Sequence, residues 1–309
     1  MRTKRLMHYS HEKNSCTMKR VRRTMVPIAK RLGGKVLESN GQLLNFAEIP
    51  LDADLSDITI EELLEVTGSH VMDCGAFNAV CEEAGIYQLW TEEYVTHLGG
   101  YLLERSFEFD GETCVLDVGA GDGLLVKFLT EFLELEKKRL SKIPGKSRIQ
   151  EIPTVIATDD GSWGIFAKAQ VEKLNMRDAL TKYKTTNSDS DRKRQLIILC
   201  SWMPMGEDWS VFFRQHEVDE YILIGEADDG SCGHNWDTWG NPSFLPAEGS
   251  ISSLELSGDP QGSEDKQPLY LADGYERWDM EALAQYQFSR FDCAVSRSSK
   301  TVSFRRRHR

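Results

Sequence analysis

Long apolar runs are missing from this chain of 309 residues. Nothing in it approaches the ~20 consecutive apolar residues needed to cross a bilayer, so no membrane span is expected. The N-terminus has no apolar core behind its first basic residues, which argues against a secretory signal. Cysteine pairing signals are missing too. The seven cysteines (16, 74, 81, 114, 200, 232 and 293) are odd in number, scattered, and form no CxxC pair. That usage disfavours a disulfide framework or a zinc knuckle and points to free thiols in a reducing compartment. An intracellular protein follows, cytoplasmic by default. No internal repeat is present.

Acids are nearly absent from the first 36 residues, where Glu12 stands alone among many Lys and Arg. The chain closes on Arg305-Arg306-Arg307-His308-Arg309, so a net charge of −12 describes an acidic body between basic ends. Residues 1–36 read as a flexible basic tail. Its Lys19-Arg20-Val21-Arg22-Arg23 patch resembles a nuclear-localisation signal, and a mitochondrial presequence is the alternative. Basic termini also suit contact with nucleic acid.

What the chain does contain is an alternation of apolar strands and amphipathic helices, with 40% hydrophobic residues and seven tryptophans to bury. Helical spacing is predicted over 57–66, 70–84 and 92–105, a helical cap within residues 37–110. Residues 111–309 then form an α/β domain. Its strands are expected at 113–118, 154–158, 170–174, 195–200 and 220–225, with a helix over 124–133 behind the first. Residues 137–152 and 184–193 look like connections. Residues 226–268, rich in Gly, Ser, Asp and Pro, look like an irregular insertion. A helix near 279–288 and two strands, Phe291–Val295 and Thr301–Arg305, are expected to close the chain as antiparallel neighbours at one edge. Such alternation predicts a mostly parallel sheet with helices on both faces.

The motif VLDVGAGDG, residues 115–123, falls where a strand turns into a helix. Gly119, Gly121 and Gly123 let the backbone turn tightly and approach a ligand, with Ala120 between them. The helix behind points its N–H groups at that ligand. A dinucleotide fingerprint needs G-x-G-x-x-G, but here Leu124 takes the last place. Asp117 would repel a pyrophosphate and attract the ammonium of a methionine moiety. The spacing therefore favours S-adenosylmethionine over NAD.

This motif resembles the first motif of class I S-adenosylmethionine-dependent methyltransferases, acid-x-G-x-G-x-G, and the likeness extends over residues 90–309. The resemblance implies a Rossmann-like seven-stranded sheet with an antiparallel edge strand near the C-terminus. It implies S-adenosylmethionine as cofactor, its ribose held by an acid after the second strand. Asp159 fits that place, with Asp160 beside it. The adenine contact after the third strand departs from the family pattern and is left to Asn175 or the Met176 backbone.

The fourth strand exits into Ser201-Trp202-Met203-Pro204-Met205. In open parallel sheets ligands bind beyond the carboxyl ends of strands, which brings Ser201 to the cofactor. Trp202, Met203 and Pro204 become candidate walls of an acceptor pocket, although the family's Pro-Pro-aromatic order is missing. After the fifth strand, Glu226 and His234 are candidate general bases and Trp236 a further wall. Cys232-x-His234 falls short of a metal set, so no metal is expected. The sequence thus predicts a methyltransferase whose acceptor, small molecule, protein or RNA, is unidentified. The alternative is an inactive scaffold or RNA-associated protein of the same fold.

Overall fold

In a computed structural model, the structure describes residues 35–37, 43–45, 86–142, 152–185, 194–228, 230–245, 267–292 and 298–307. The helices predicted over 57–66 and 70–84, the Lys19–Arg23 patch and the chain before residue 35 lie outside these residues.

Seven strands form one sheet. They are β1 (Glu112–Val118), β2 (Thr154–Asp159), β3 (Glu172–Lys173), β4 (Arg194–Ser201), β5 (Glu220–Glu226), β6 (Tyr275–Asp279) and β7 (Ser299–Arg306). Their order across the sheet is β3-β2-β1-β4-β5-β7-β6. Pairings from β3 through β5 are parallel, and β7 runs antiparallel to both β5 and β6. Among the described residues no helix is long and apolar enough to cross a membrane.

The near-continuous apolar runs of the central strands follow from burial on both faces. Side chains alternate: Leu116, Ile198, Tyr221 and Phe304 share one cluster, with Leu180 and Phe213 from the helices α3 (Met176–Thr185) and α4 (Ser210–Gln215). Val115, Ile197, Leu199 and Ile222 share the other, with Leu98 of α1 (Glu92–Glu108) and Leu125 and Phe128 of α2 (Leu124–Ser141). Helix α1, grouped in the sequence with the N-terminal cap, is therefore a covering layer of the sheet itself. Its N-cap is Thr91, whose hydroxyl accepts from the Tyr94 N–H at 3.2 Å and donates to the Tyr286 carbonyl at 2.8 Å.

Several boundaries differ from the predicted ones. Helix α2 runs on to Ser141, through residues read as connection, because Leu133 and Leu140 are buried and Arg139 pairs with Glu136 at 2.7 Å. The predicted third strand shrinks to Glu172–Lys173. The helix predicted over 279–288 is a single turn, α6 (Glu281–Ala284), following the turn α5 (Leu269–Ala272) and the unpredicted edge strand β6. The antiparallel strand β7 is consequently one place in from the edge. The expected strand from Phe291 fails in its described part. Asp292 instead accepts the Ser289, Ser298 and Ser299 N–H groups at 2.7, 2.7 and 3.2 Å, which ties the chain into a turn.

Arg305, Arg306 and Arg307, the described part of the C-terminal basic run, are all engaged with neighbouring groups. Arg305 and Arg306 belong to β7, Arg306 pairs with Glu217, and Arg307 Nε meets Glu276 at 2.6 Å. Arg305 Nε donates to the Tyr101 hydroxyl at 3.1 Å, beside fully buried Glu220. The Arg306 and Arg307 pairs stay partly exposed to solvent.

Candidate functional site

Strand order reverses between β1 and β4, and a cavity of about 360 Å³ opens at the carboxyl ends of the strands there. That volume falls within the ~300–1,000 Å³ typical of small-molecule sites. Two different walls enclose it.

The first wall is the glycine loop and the strand ends beside it. Gly119 and Gly121 face the cavity at positive φ, while Gly123 sits behind the loop as N-cap of α2. A Cβ on Gly123 would lie 2.6 Å from Val171 Cγ2, at a φ of 76°, so the position is closed to other residues on two counts. Asp159 fixes the loop: its carboxylate accepts from Gly121 N–H at 2.9 Å and Gly161 N–H at 2.7 Å. Asp160 accepts the Ser162 N–H at 2.8 Å, which together with the Ser162 side chain holds its pKa below the usual range. Asp122, not singled out in the sequence, ties the 161–169 segment to the loop. Its carbonyl accepts from the Lys168 and Ala169 N–H groups at 2.8 and 3.1 Å, and its carboxylate pairs with Lys168 Nζ at 2.8 Å.

Asp117 lines the same wall at the end of β1 and is 1% exposed. Its Oδ1 is buried and has no hydrogen-bond partner. Burial first, and then the charges of Asp159 and Asp122, push its pKa well above the ordinary carboxyl value. A buried acceptor left unmade costs about 1–3 kcal/mol, and no donor among the described residues meets this one. Asn175 and Met176 line the far end of this wall. The Asn175 side chain is exposed at the cavity and is engaged in part within its own turn. Its amide donates to Asp178 at 2.8 Å and accepts the Asp178 N–H at 2.9 Å, capping α3.

The second wall surrounds the end of β4. Ser201, Trp202 and Pro204 line the cavity as predicted. Trp202 has a φ of 56°, a left-handed position that costs a residue with a Cβ about 1–3 kcal/mol, and its N–H is held by the Ile224 carbonyl at 2.8 Å. Met203 is not a pocket wall. It is 3% exposed, belongs to the core beneath, and its sulfur accepts the Trp209 N–H at 3.3 Å. Trp236 is likewise buried away from the cavity.

Neither candidate base reaches the site. Glu226 Oε1 accepts from Ser298 at 2.7 Å and Oε2 from the Ser231 N–H at 3.1 Å, while His234 Nδ1 meets Asp237 at 3.0 Å. The excursion after β5 folds back on itself, with Trp239 Nε1 donating to the Cys232 carbonyl at 2.7 Å. Cys232 is buried, its thiol pushed up to about 12 by that burial, and the described residues contain no cluster of three or more potential metal ligands.

Sequence reasoning missed residues 86–90, which contribute Ile86, Tyr87, Gln88 and Trp90 to the cavity, along with Trp163 and Trp209. Gln88–Leu89 pairs antiparallel with Phe288–Ser289, and Gln88 Nε2 donates to the Phe288 carbonyl at 2.6 Å. The available signal was a cluster of Tyr, Gln and Trp immediately before the Thr91 cap. Nothing local ties it to residue 288. No protein-family model and no curated protein sequence matches the chain.

Proposed function

We propose that the chain is an S-adenosylmethionine-dependent methyltransferase, with the cofactor on the glycine-loop wall and the acceptor on the β4 wall. One observation carries this reading: the buried Asp117 carboxyl, lining the cavity beside Gly119 and Gly121, with an Oδ1 that no group among the described residues meets. A methionine ammonium fits that vacancy in charge and hydrogen bonding, where a pyrophosphate does not. Asp160, which lines the cavity and meets the Ser162 side chain and N–H, suits the ribose hydroxyls with its remaining acceptor capacity. Asp159 braces the loop, while Asn175 and the Met176 backbone are the candidates for the adenine end. A mostly parallel seven-stranded sheet with one reversed strand is in keeping with the family.

When bound, S-adenosylmethionine supplies an electrophilic methyl group on a sulfonium. The protein's part is to orient the acceptor and exclude water, since proximity and alignment supply most of what such a transfer needs. A strong base is not obligatory, and neither Glu226 nor His234 is placed to be one. Aromatic side chains around Ser201 provide the dry wall.

Calorimetric titration of S-adenosylmethionine into wild type and Asp117→Ala tests the reading. Binding to wild type and its loss in the variant are expected, and absence of binding to both overturns it. Radiolabelled methyl transfer to fractionated RNA, protein and metabolites then identifies the acceptor class. The lack of a carboxylate or histidine on the β4 wall favours one second reading, a cofactor-binding scaffold, for which binding without transfer to any fraction is the outcome.

A further inference from the structure

The cavity is divided by charge. Asp117, Asp122, Asp159 and Asp160 all lie on the glycine-loop wall. Two cations also line the cavity, Lys168 paired with Asp122 and Arg177 stacked on Phe212, whereas Tyr87, Gln88, Trp90, Ser201, Trp202 and Pro204 around the end of β4 carry no charge.

The rings on this wall are braced. Trp202 packs with its centroid 5.7 Å from Tyr87 and 5.3 Å from Phe291. The Arg290 guanidinium, which does not line the cavity, lies 4.1 Å from the Tyr87 ring centre and 4.6 Å from that of Phe291. Trp163, 57% exposed, carries the row outward, with its centroid 6.0 Å from Tyr87. Trp202 takes its place in this row from a left-handed backbone position. Two polar groups interrupt the apolar wall: half-buried Ser201, and Gln88, whose Oε1 meets Trp202 Nε1 at 3.4 Å.

We infer that the β4 wall is a binding subsite for a neutral planar ring, stacked against Trp202 and Tyr87 with its polar edge toward Ser201 and Gln88. A charged group would lose its water here without gaining a partner. A saturated ring would fill the space without the offset or edge-to-face contacts that flat rings make. In assigning the ring as the methyl acceptor, the inference rests on the methyltransferase reading; the subsite itself does not.

Three probes of similar size separate the possibilities on the full chain: benzamide, cyclohexanecarboxamide and benzoate. Saturation-transfer NMR and calorimetry are run with and without S-adenosylhomocysteine. Benzamide is expected to bind about tenfold more tightly than either control, the scale of favourable aromatic pairing. Trp202→Leu and Tyr87→Leu are each expected to remove that preference, with S-adenosylhomocysteine affinity unchanged, and Trp202→Phe to retain it. Equal binding of the three probes, no binding of benzamide, or benzamide binding that survives both leucine substitutions overturns the inference. Failure of S-adenosylhomocysteine to bind overturns the methyltransferase reading alone, because the probe comparison is still read on the unliganded protein.

Discussion

The two walls of one cavity are built in opposite ways. The glycine-loop wall comes from short segments at the ends of successive strands, 117–123, 159–160 and 175–176, and is held by backbone N–H groups on carboxylates. The β4 wall is assembled from residues 86–88, 90, 163, 201, 202, 204 and 209, braced by 290 and 291, and is held by ring packing. Backbone hydrogen bonds and glycine conformations are local, so they leave a spaced motif. Ring packing only requires that large side chains meet, which leaves none. The difference explains why the glycine-loop wall left a pattern in the sequence while most of the β4 wall did not.

The sharpest way to break the first wall is Gly123→Ala. The added Cβ meets Val171 in a left-handed backbone, and overpacking together with that conformation is expected to cost about 3 kcal/mol, read by chemical denaturation. Val171→Ala in the same chain should recover the steric share and not the conformational one.

Next in size is Asp117→Asn. Removing the charge should weaken S-adenosylhomocysteine binding about a hundredfold, near the upper end of a charge-assisted hydrogen bond. The same substitution has a pH signature of definite sign. A carboxyl whose folded pKa is raised binds more protons in the folded state, so stability falls as pH climbs from about 4, the unfolded value, toward the folded one. Wild type without ligand should therefore lose melting temperature over that window, and Asp117→Asn should lose less. Affinity for the cationic ligand should rise over the same window, because Asp117 must shed its proton to pair.

The smallest effects should come from the residues that the fold removes from the cavity. Glu226→Gln is expected to cost about 1 kcal/mol of stability through its serine contacts, and His234→Ala less. Neither should change S-adenosylhomocysteine affinity. A calorimetric loss in either variant would mean that the excursion after β5 belongs to the site after all.

Six of the sheet's seven strands were expected, β3 only in part, and the parallel β1, β2, β4 and β5 were legible because buried parallel strands are continuous apolar runs. Strand β6 was not: Tyr275-Glu276-Arg277-Trp278-Asp279 alternates poorly, and pairing with β7 makes it a strand. The reverse happened at Phe291, where an apolar opening is overruled by the three N–H groups that converge on Asp292. Met203 and Trp236 show the same limit within the site. Bulk and apolarity are equally at home in a core and in a pocket, and only neighbours decide which.

The sequence by itself determined the strand-glycine-helix unit, the acid at residue 117 and the acids after β2, because strand burial, positive φ and spacing along one strand are properties of contiguous residues. Tertiary structure alone decided which aromatic residues face the cavity, which arginines are spent inside the sheet, and that Asn175 caps a helix. Those outcomes depend on contacts between segments as far apart as Gln88 and Phe288, whose meeting no local pattern encodes.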